Sequence, residues 1–184
     1  GGKHTLLDGD MTLNWNLFTS EYHDQQVSTF HGTGFVIANA GSSTSNEIEM
    51  DMQWQMSDEF KLIAALGLLD SSYDKFEGAA CTALQQSAVQ GLGALTSASP
   101  VTSADGCQQL FDPTGAPAGQ VQDISGAQLG SDYSGSIILE YTTPISQDMM
   151  WFTQVDANFT DGYFMTGDVD SIDYQDAFQL YNIR

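Results

Sequence analysis

Glu47-Ile48-Glu49-Met50-Asp51-Met52-Gln53-Trp54-Gln55-Met56 is the stretch on which the fold turns. Glu47, Glu49, Asp51, Gln53 and Gln55 alternate without a fault with Ile48, Met50, Met52, Trp54 and Met56. Successive side chains of a strand point to opposite faces, so period two means one wet face and one apolar face. A helix would scatter the same apolar residues around its whole circumference and is rejected. The run is also about as long as a tilted strand must be to cross a bilayer.

The pattern repeats outward from there. In Met11 to Val27, Leu13, Trp15 and Leu17 alternate with Thr12, Asn14 and Asn16 before the chain turns polar. Phe60 to Leu69 is apolar or small on both faces; its composition would allow a helix, but it follows its neighbour across a tight turn and reads as a strand. Tyr133, Gly135, Ile137, Leu139 and Tyr141 face away from Ser134, Ser136, Glu140 and Thr142, and Trp151, Val155, Ala157 and Phe159 alternate with Gln154, Asp156, Asn158 and Thr160. Ala177 to Arg184 reads as a strand cut off as it begins.

The connections alternate as well. Leu7-Asp8-Gly9-Asp10, Met56-Ser57-Asp58-Glu59 and Ile145-Ser146-Gln147-Asp148 are short polar turns, whereas 28–42, 77–128 and 167–176 are longer loops. Short turns at one end and long loops at the other describe an outer-membrane barrel with its turns in the periplasm. No solenoid repeat or Pro/Gly linker divides the chain. The expectation is an all-β, antiparallel up-and-down meander of about six strands. It would form one partial domain of a transmembrane β-barrel over 1–184, with 77–128 as the long outer loop. On that reading Leu13, Trp15, Leu17, Ile48, Met50, Met52, Trp54 and Met56 face lipid. Glu47, Glu49, Asp51, Gln53, Gln55, Asp156 and Asn158 face the lumen, as solvated lining or as contacts for a basic group.

Composition narrows the function. Twenty-four acidic residues against 4 basic ones give a net charge of −20, which repels nucleic-acid phosphates and excludes nucleic acid as a partner. So deep a deficit of Lys and Arg also suits a saline medium, where screening relieves self-repulsion. With 41% hydrophobic and 11% aromatic residues the chain is too apolar for disorder throughout. No run of 18 apolar residues offers a transmembrane helix. The start, Gly1 to Asp10, lacks a signal peptide's regions and opens into what reads as a turn, as an internal piece would.

Cys81 and Cys107 flank a Ser/Ala/Gly/Gln-rich stretch and read as one disulfide closing the loop, which points to the periplasm or the cell exterior. In a cytosolic chain they would be two thiols. Asp168, Asp170 and Asp173 invite a calcium reading but lack the glycine and terminal glutamate of an EF-hand loop, so a solvated loop is the plainer account and no metal is expected. His4, His23 and His31 have no ligand-spaced neighbours, and Trp15, Trp54 and Trp151 fall near strand ends, where barrels place interfacial aromatics. No nucleophile elbow, Walker loop or zinc helix is present, so no catalytic residue, no cofactor and no enzyme is expected.

Several pieces together resemble the late barrel strands of TonB-dependent outer-membrane receptors: His23-Asp24-Gln25-Gln26-Val27, Ile37-Ala38-Asn39-Ala40-Gly41, Ala65 to Tyr73, Val155-Asp156-Ala157-Asn158-Phe159-Thr160, and Asp176 to Arg184. The order and turn placement agree over nearly the whole chain. Many relatives carry prolines where this chain reads Gly126 to Tyr133. The resemblance implies a bacterial outer-membrane location and uptake of a scarce nutrient, such as an iron chelate (siderophore), cobalamin or a carbohydrate, with outer loops contributing to ligand recognition. It implies outer-membrane lipids, a small nutrient ligand, a plug domain and an energy-coupling protein as partners. Plug, coupling box and closing strand are expected outside this fragment. The alternative is a soluble acidic all-β ligand-binding module, in which the Met/Trp face is buried in a core and the Glu47/Glu49/Asp51 face meets water.

Overall fold

A computed structural model describes residues 1–31, 34–39, 41–92 and 106–184. In chain order its elements are β1 (Gly2–Leu6), β2 (Met11–His23), β3 (Gln26–His31), β4 (Gly34–Asn39), β5 (Ser42–Gln55), β6 (Phe60–Lys75), β7 (Ala79–Ala80), α1 (Ala83–Gly91), β8 (Gln108–Phe111), β9 (Pro117–Gln122), β10 (Tyr133–Ser146), β11 (Met149–Thr160), β12 (Tyr163–Phe164), β13 (Tyr174–Gln175) and β14 (Phe178–Ile183). Short 3-10 turns lie at Leu7–Gly9 and Ser171–Asp173.

Seven strands form the main sheet in the order β1-β2-β5-β6-β10-β11-β14, every neighbour antiparallel. Spatial order therefore follows chain order, the mark of an up-and-down meander. The connections β1–β2, β5–β6 and β10–β11 are tight turns at one end of the sheet. At the other end β2–β5 carries the hairpin β3–β4, β6–β10 carries α1 and the three-stranded sheet β7-β9-β8, and β11–β14 carries the pair β12–β13. The alternation of short and long connections expected from the sequence is met.

The count differs from the expected six by one. Gly2–Leu6 reads as a turn because Gly-Lys-His-Thr-Leu has no apolar alternation, yet all five residues pair with Met11–Trp15. The strand owes its place to its partner. Trp15 on β2 covers Gly2, where an added Cβ would lie 2.8 Å from the indole nitrogen, and the same indole N–H donates to His4 Nε2 at 3.1 Å. Met56 is also corrected: β5 ends at Gln55, and Met56 belongs to the turn, its N–H bonded to the Phe60 carbonyl.

Directly opposed residues share a face, so the register sorts the sheet. One face carries the rows Leu17–Ile48–Leu68–Tyr133, Trp15–Met50–Leu66–Gly135–Phe159, Leu13–Met52–Ala64–Ile137–Ala157–Tyr181 and Met11–Trp54–Leu62–Leu139–Val155–Ile183. The other carries Asn16–Glu49–Gly67–Ser134–Thr160, Asn14–Asp51–Ala65–Ser136–Asn158 and Thr12–Gln53–Ile63–Ile138–Asp156–Asn182. The apolar face is unbroken across the five strands β2, β5, β6, β10 and β11; on β14 Gln179 stands in it opposite Phe159, while Phe178 and Leu180 fall on the polar face. Gly135 is roofed by Phe159, whose ring lies 2.5 Å from where a Cβ would stand. Pro144 sits beside the register shift near the end of β10, a place where a strand tolerates a missing N–H.

No described layer covers the apolar face. Leu17, Ile48, Met50, Ile137, Leu139 and Val155 are all exposed. The buried apolar residues lie elsewhere, at the long-loop end: Tyr73, Phe76, Ala79 and Ile124 form one cluster, and Cys81, Val89 and Cys107 another.

Candidate functional site

The polar face gathers the predicted lumen set. Glu49, Asp51, Gln53, Asp156 and Asn158 fall in its rows, with Glu47 and Gln55 one step further along β5 at either end. Asn14 donates to the Asp51 carboxylate across the β2–β5 pair. A groove of about 940 Å3 is lined mostly by this face, with Lys3, Asn14, Glu47, Glu49 and Asp51 beside the small Ala65, Gly67, Ser134 and Ser136. Asp156 is only 7% exposed. Its Oδ2 accepts from Asn182 at 2.7 Å, and Arg184 Nη2 stands 3.8 Å from Oδ1. The predicted lipid set, Leu13, Trp15, Leu17, Ile48, Met50, Met52 and Trp54, lies together on the opposite face.

Trp54, Tyr141 and Trp151 lie near the short-turn end of the sheet, with the Phe60 and Tyr141 rings 4.7 Å apart. Trp15 is different: it sits mid-sheet opposite Met50, its indole N–H satisfied by His4.

At the long-loop end the chain builds a compact unit. Cys81 and Cys107 form the disulfide read from the sequence, and both are buried against Val89 of α1. Residues 93–105, between them, lie outside the described residues. The helix starts on a capping box: Thr82 Oγ1 accepts from Gln85 N–H while Gln85 Oε1 accepts from Thr82 N–H. The return path of the loop is laced to β6, with Ile124 N–H on the Phe76 carbonyl, Gly126 N–H on Tyr73 and Leu129 N–H on Ser71. Gln122, buried, is the node: its amide donates to the carbonyls of Ala80 and Asp168 and accepts from Gln85. Where the β2–β5 connection meets the end of β6, Gly41 adopts φ +78° with the Lys75 carbonyl 2.6 Å from a would-be Cβ, so only glycine fits.

Two exposed carboxylates cap turns in this unit. Asp112 Oδ1 accepts from Thr114 Oγ1, Thr114 N–H and Ala116 N–H, and these bonds, the Thr114 hydroxyl first, hold its carboxyl below the usual carboxylate range. The Ser125 hydroxyl and N–H do the same for Asp123.

Asp168, Asp170 and Asp173 do not converge. Asp170 accepts from Ile172 N–H and caps the 3-10 turn, and Asp173 Oδ2 accepts from Thr166. Among the described residues no group of three His, Cys, Asp or Glu side chains could hold a metal ion. His4 is engaged with Trp15, His23 Nε2 lies 3.9 Å from Glu21, and the side chain of His31 lies outside the described ones. Sequence reasoning missed Tyr73, Phe76, Gln122 and Ile124 as a core, although Thr82-x-x-Gln85 advertises the helix start.

No family model and no curated protein matches the sequence. Solved structures do match. The siderophore receptor PiuA from Acinetobacter baumannii superposes with a TM-score of 0.60 at 16% identity, over 98% of this chain and 20% of the receptor. The chain has the fold of a siderophore-receptor barrel segment. The ferric yersiniabactin uptake receptor FyuA from Yersinia pestis agrees, with a TM-score of 0.56 at 10% identity and the same coverage. This barrel segment spans about a fifth of the receptors it matches, and its sheet is open, with β1 and β14 at the edges. The resemblance to TonB-dependent receptors read from the sequence is thus met as a fold.

Proposed function

We propose that the chain is a barrel segment of a TonB-dependent receptor in a bacterial outer membrane, taking part in uptake of a scarce nutrient, with its long-loop end contributing to ligand recognition. The observation that carries this reading is the uncovered apolar face. From Tyr133 to Tyr141 it runs roughly 27 Å along β10 at ~3.4 Å per residue. A tilt of ~40° makes that a belt of about 20 Å, close to the ~25 Å of outer-membrane barrels. Left in water, such a face would forfeit on the order of 25 cal/mol for every Å² it could otherwise bury. Lipid is the solvent that suits it. The polar face then lines the lumen, where Glu47, Glu49, Asp51, Gln53, Gln55, Asp156 and Asn158 hold water or meet a plug domain. On that reading, further chain of the receptor would supply a plug, the contact with the energy-coupling protein and strands that pair with β1 and β14. In a bilayer those edges would have to be paired, whereas a detergent micelle leaves them within reach of water.

The test is to produce the full chain with and without detergent. Folding to sheet only with detergent is expected. A monodisperse monomer that melts cooperatively in plain buffer would overturn the reading in favour of a soluble module.

A further inference from the structure

We infer that the β11–β14 connection, residues 161–177, is a releasable strap that ties itself to the disulfide unit at Asp168 and Val169. Among the described residues, two contacts hold it to that unit. Val169 packs on the buried cluster of Tyr73, Phe76, Ala79 and Ile124. The Gln122 amide, already bonded to Ala80 and to Gln85 of α1, donates to the main-chain carbonyl of Asp168 at 3.0 Å. One buried side chain therefore joins β7, α1 and the strap.

Two things oppose it, at the same pair of residues. Val169 is held at φ +50°, and a β-branched residue in the left-handed region is a backbone outlier that persists only where its surroundings impose it. Its neighbour Asp168 has a carboxylate oxygen, Oδ1, that is buried and has no hydrogen-bond partner among the described residues. A buried acceptor without a donor loses its hydration with no compensation. Undocking would remove both penalties at once: the backbone relaxes and the oxygen reaches water. The docked strap is thus held by a node and a small apolar contact and opposed by strain and an orphaned oxygen, so a modest differential affinity for either position would move it. The rest of the connection has its own structure: Asp170 caps the 3-10 turn, Met165 N–H bonds the Asp173 carbonyl, and the Phe164 and Tyr174 rings meet edge to face at 5.0 Å. Val169 lies inside the turn that these bonds close, with its own N–H on the Thr166 carbonyl, so relaxing its φ on undocking loosens them together. The inference uses loop contacts alone and goes beyond the membrane reading, so it stands or falls separately.

Hydrogen exchange on the full chain, with the disulfide intact, tests it. Gln122→Leu keeps the bulk but removes the node, and exchange at the Met165, Val169 and Asp173 amides should rise about tenfold or more, while β10 and β11 stay unchanged. Asp168→Ala keeps the main-chain carbonyl that Gln122 binds and deletes the orphaned oxygen, so the same amides should exchange several-fold more slowly. Unchanged exchange in Gln122→Leu, or unchanged or faster exchange in Asp168→Ala, would overturn the strap.

Discussion

In the disulfide unit Phe76 is 1% exposed and Val89 is 0%, while in the sheet Leu17 is 55% exposed although it belongs to the same kind of apolar row. The first region follows the rule of water-soluble domains: apolar groups inside, buried amides satisfied, a helix capped, a disulfide closing the loop. The second inverts it, with strand residues presented outward from a single layer and no core behind them among the described residues. On the proposed membrane reading the difference means one chain built for two solvents, with the boundary between them running across the strands themselves. Above the row of Leu17 and Ile48 the outer parts of β2, β5 and β6 change to Ser and Thr ladders. Ser45 and Ser71 hydroxyls meet at 2.6 Å and Thr44 donates to Asp74 at 2.8 Å.

The largest expected effect falls in the soluble-like region. Phe76→Ala should cost that unit about 3–5 kcal/mol, read as fast exchange of the Ile124 and Gly126 amides while the main sheet keeps its circular dichroism. If the sheet collapses together with the unit, the two regions are not separate in the way described. Next comes the disulfide: Cys81→Ser with Cys107→Ser should destabilise the same unit by about 3–4 kcal/mol from loop closure, seen as new cleavage sites between residues 76 and 132 under limited proteolysis. In the sheet, Met52→Lys should cost about 2–4 kcal/mol in detergent folding if that face meets apolar solvent. Asp51→Leu, one residue away on the other face, loses only the bond from Asn14, about 1 kcal/mol. Equal costs at the two positions would erase the distinction between the faces. The smallest effect is pH. Asp112 and Asp123 have folded-state pKa values depressed by their turn bonds, so their contribution is present above the usual carboxylate range and is lost as pH falls through the depressed values. Amides of Thr114, Ala116 and Ser125 should lose protection only under acid, with no change between about pH 6 and 8.

How much of this was legible in the sequence depended on whether a residue's neighbours were local. The faces of β2, β5, β10 and β11 follow from parity alone, and Asp156 and Asn158 were placed on the Glu49/Asp51 face although more than 100 residues separate them. The turns and loops were legible because Asp, Ser and Gly mark them. β1 was not, since its pairing comes from Trp15 and the rest of β2 rather than from its own side chains. The disulfide was read from two cysteines, but the core around it was hidden in a stretch rich in Ala, Ser and Gln. Gln122 looked like one more polar loop residue, because a node that binds Ala80, Gln85 and Asp168 is defined only by the folded chain.

The account's central claim is that the apolar face of the sheet meets lipid and the polar face does not. It is tested most directly by moving one fluorophore across the sheet. With Trp15 and Trp151 replaced by Phe, Trp54 is the remaining tryptophan of the chain. In a second protein Trp54→Phe is combined with Gln53→Trp, on the opposite face of the same strand. Both are folded in detergent carrying brominated acyl chains. The account predicts strong bromine quenching of Trp54 and weak quenching of the tryptophan at position 53. Equal quenching, or stronger quenching at 53, would contradict it.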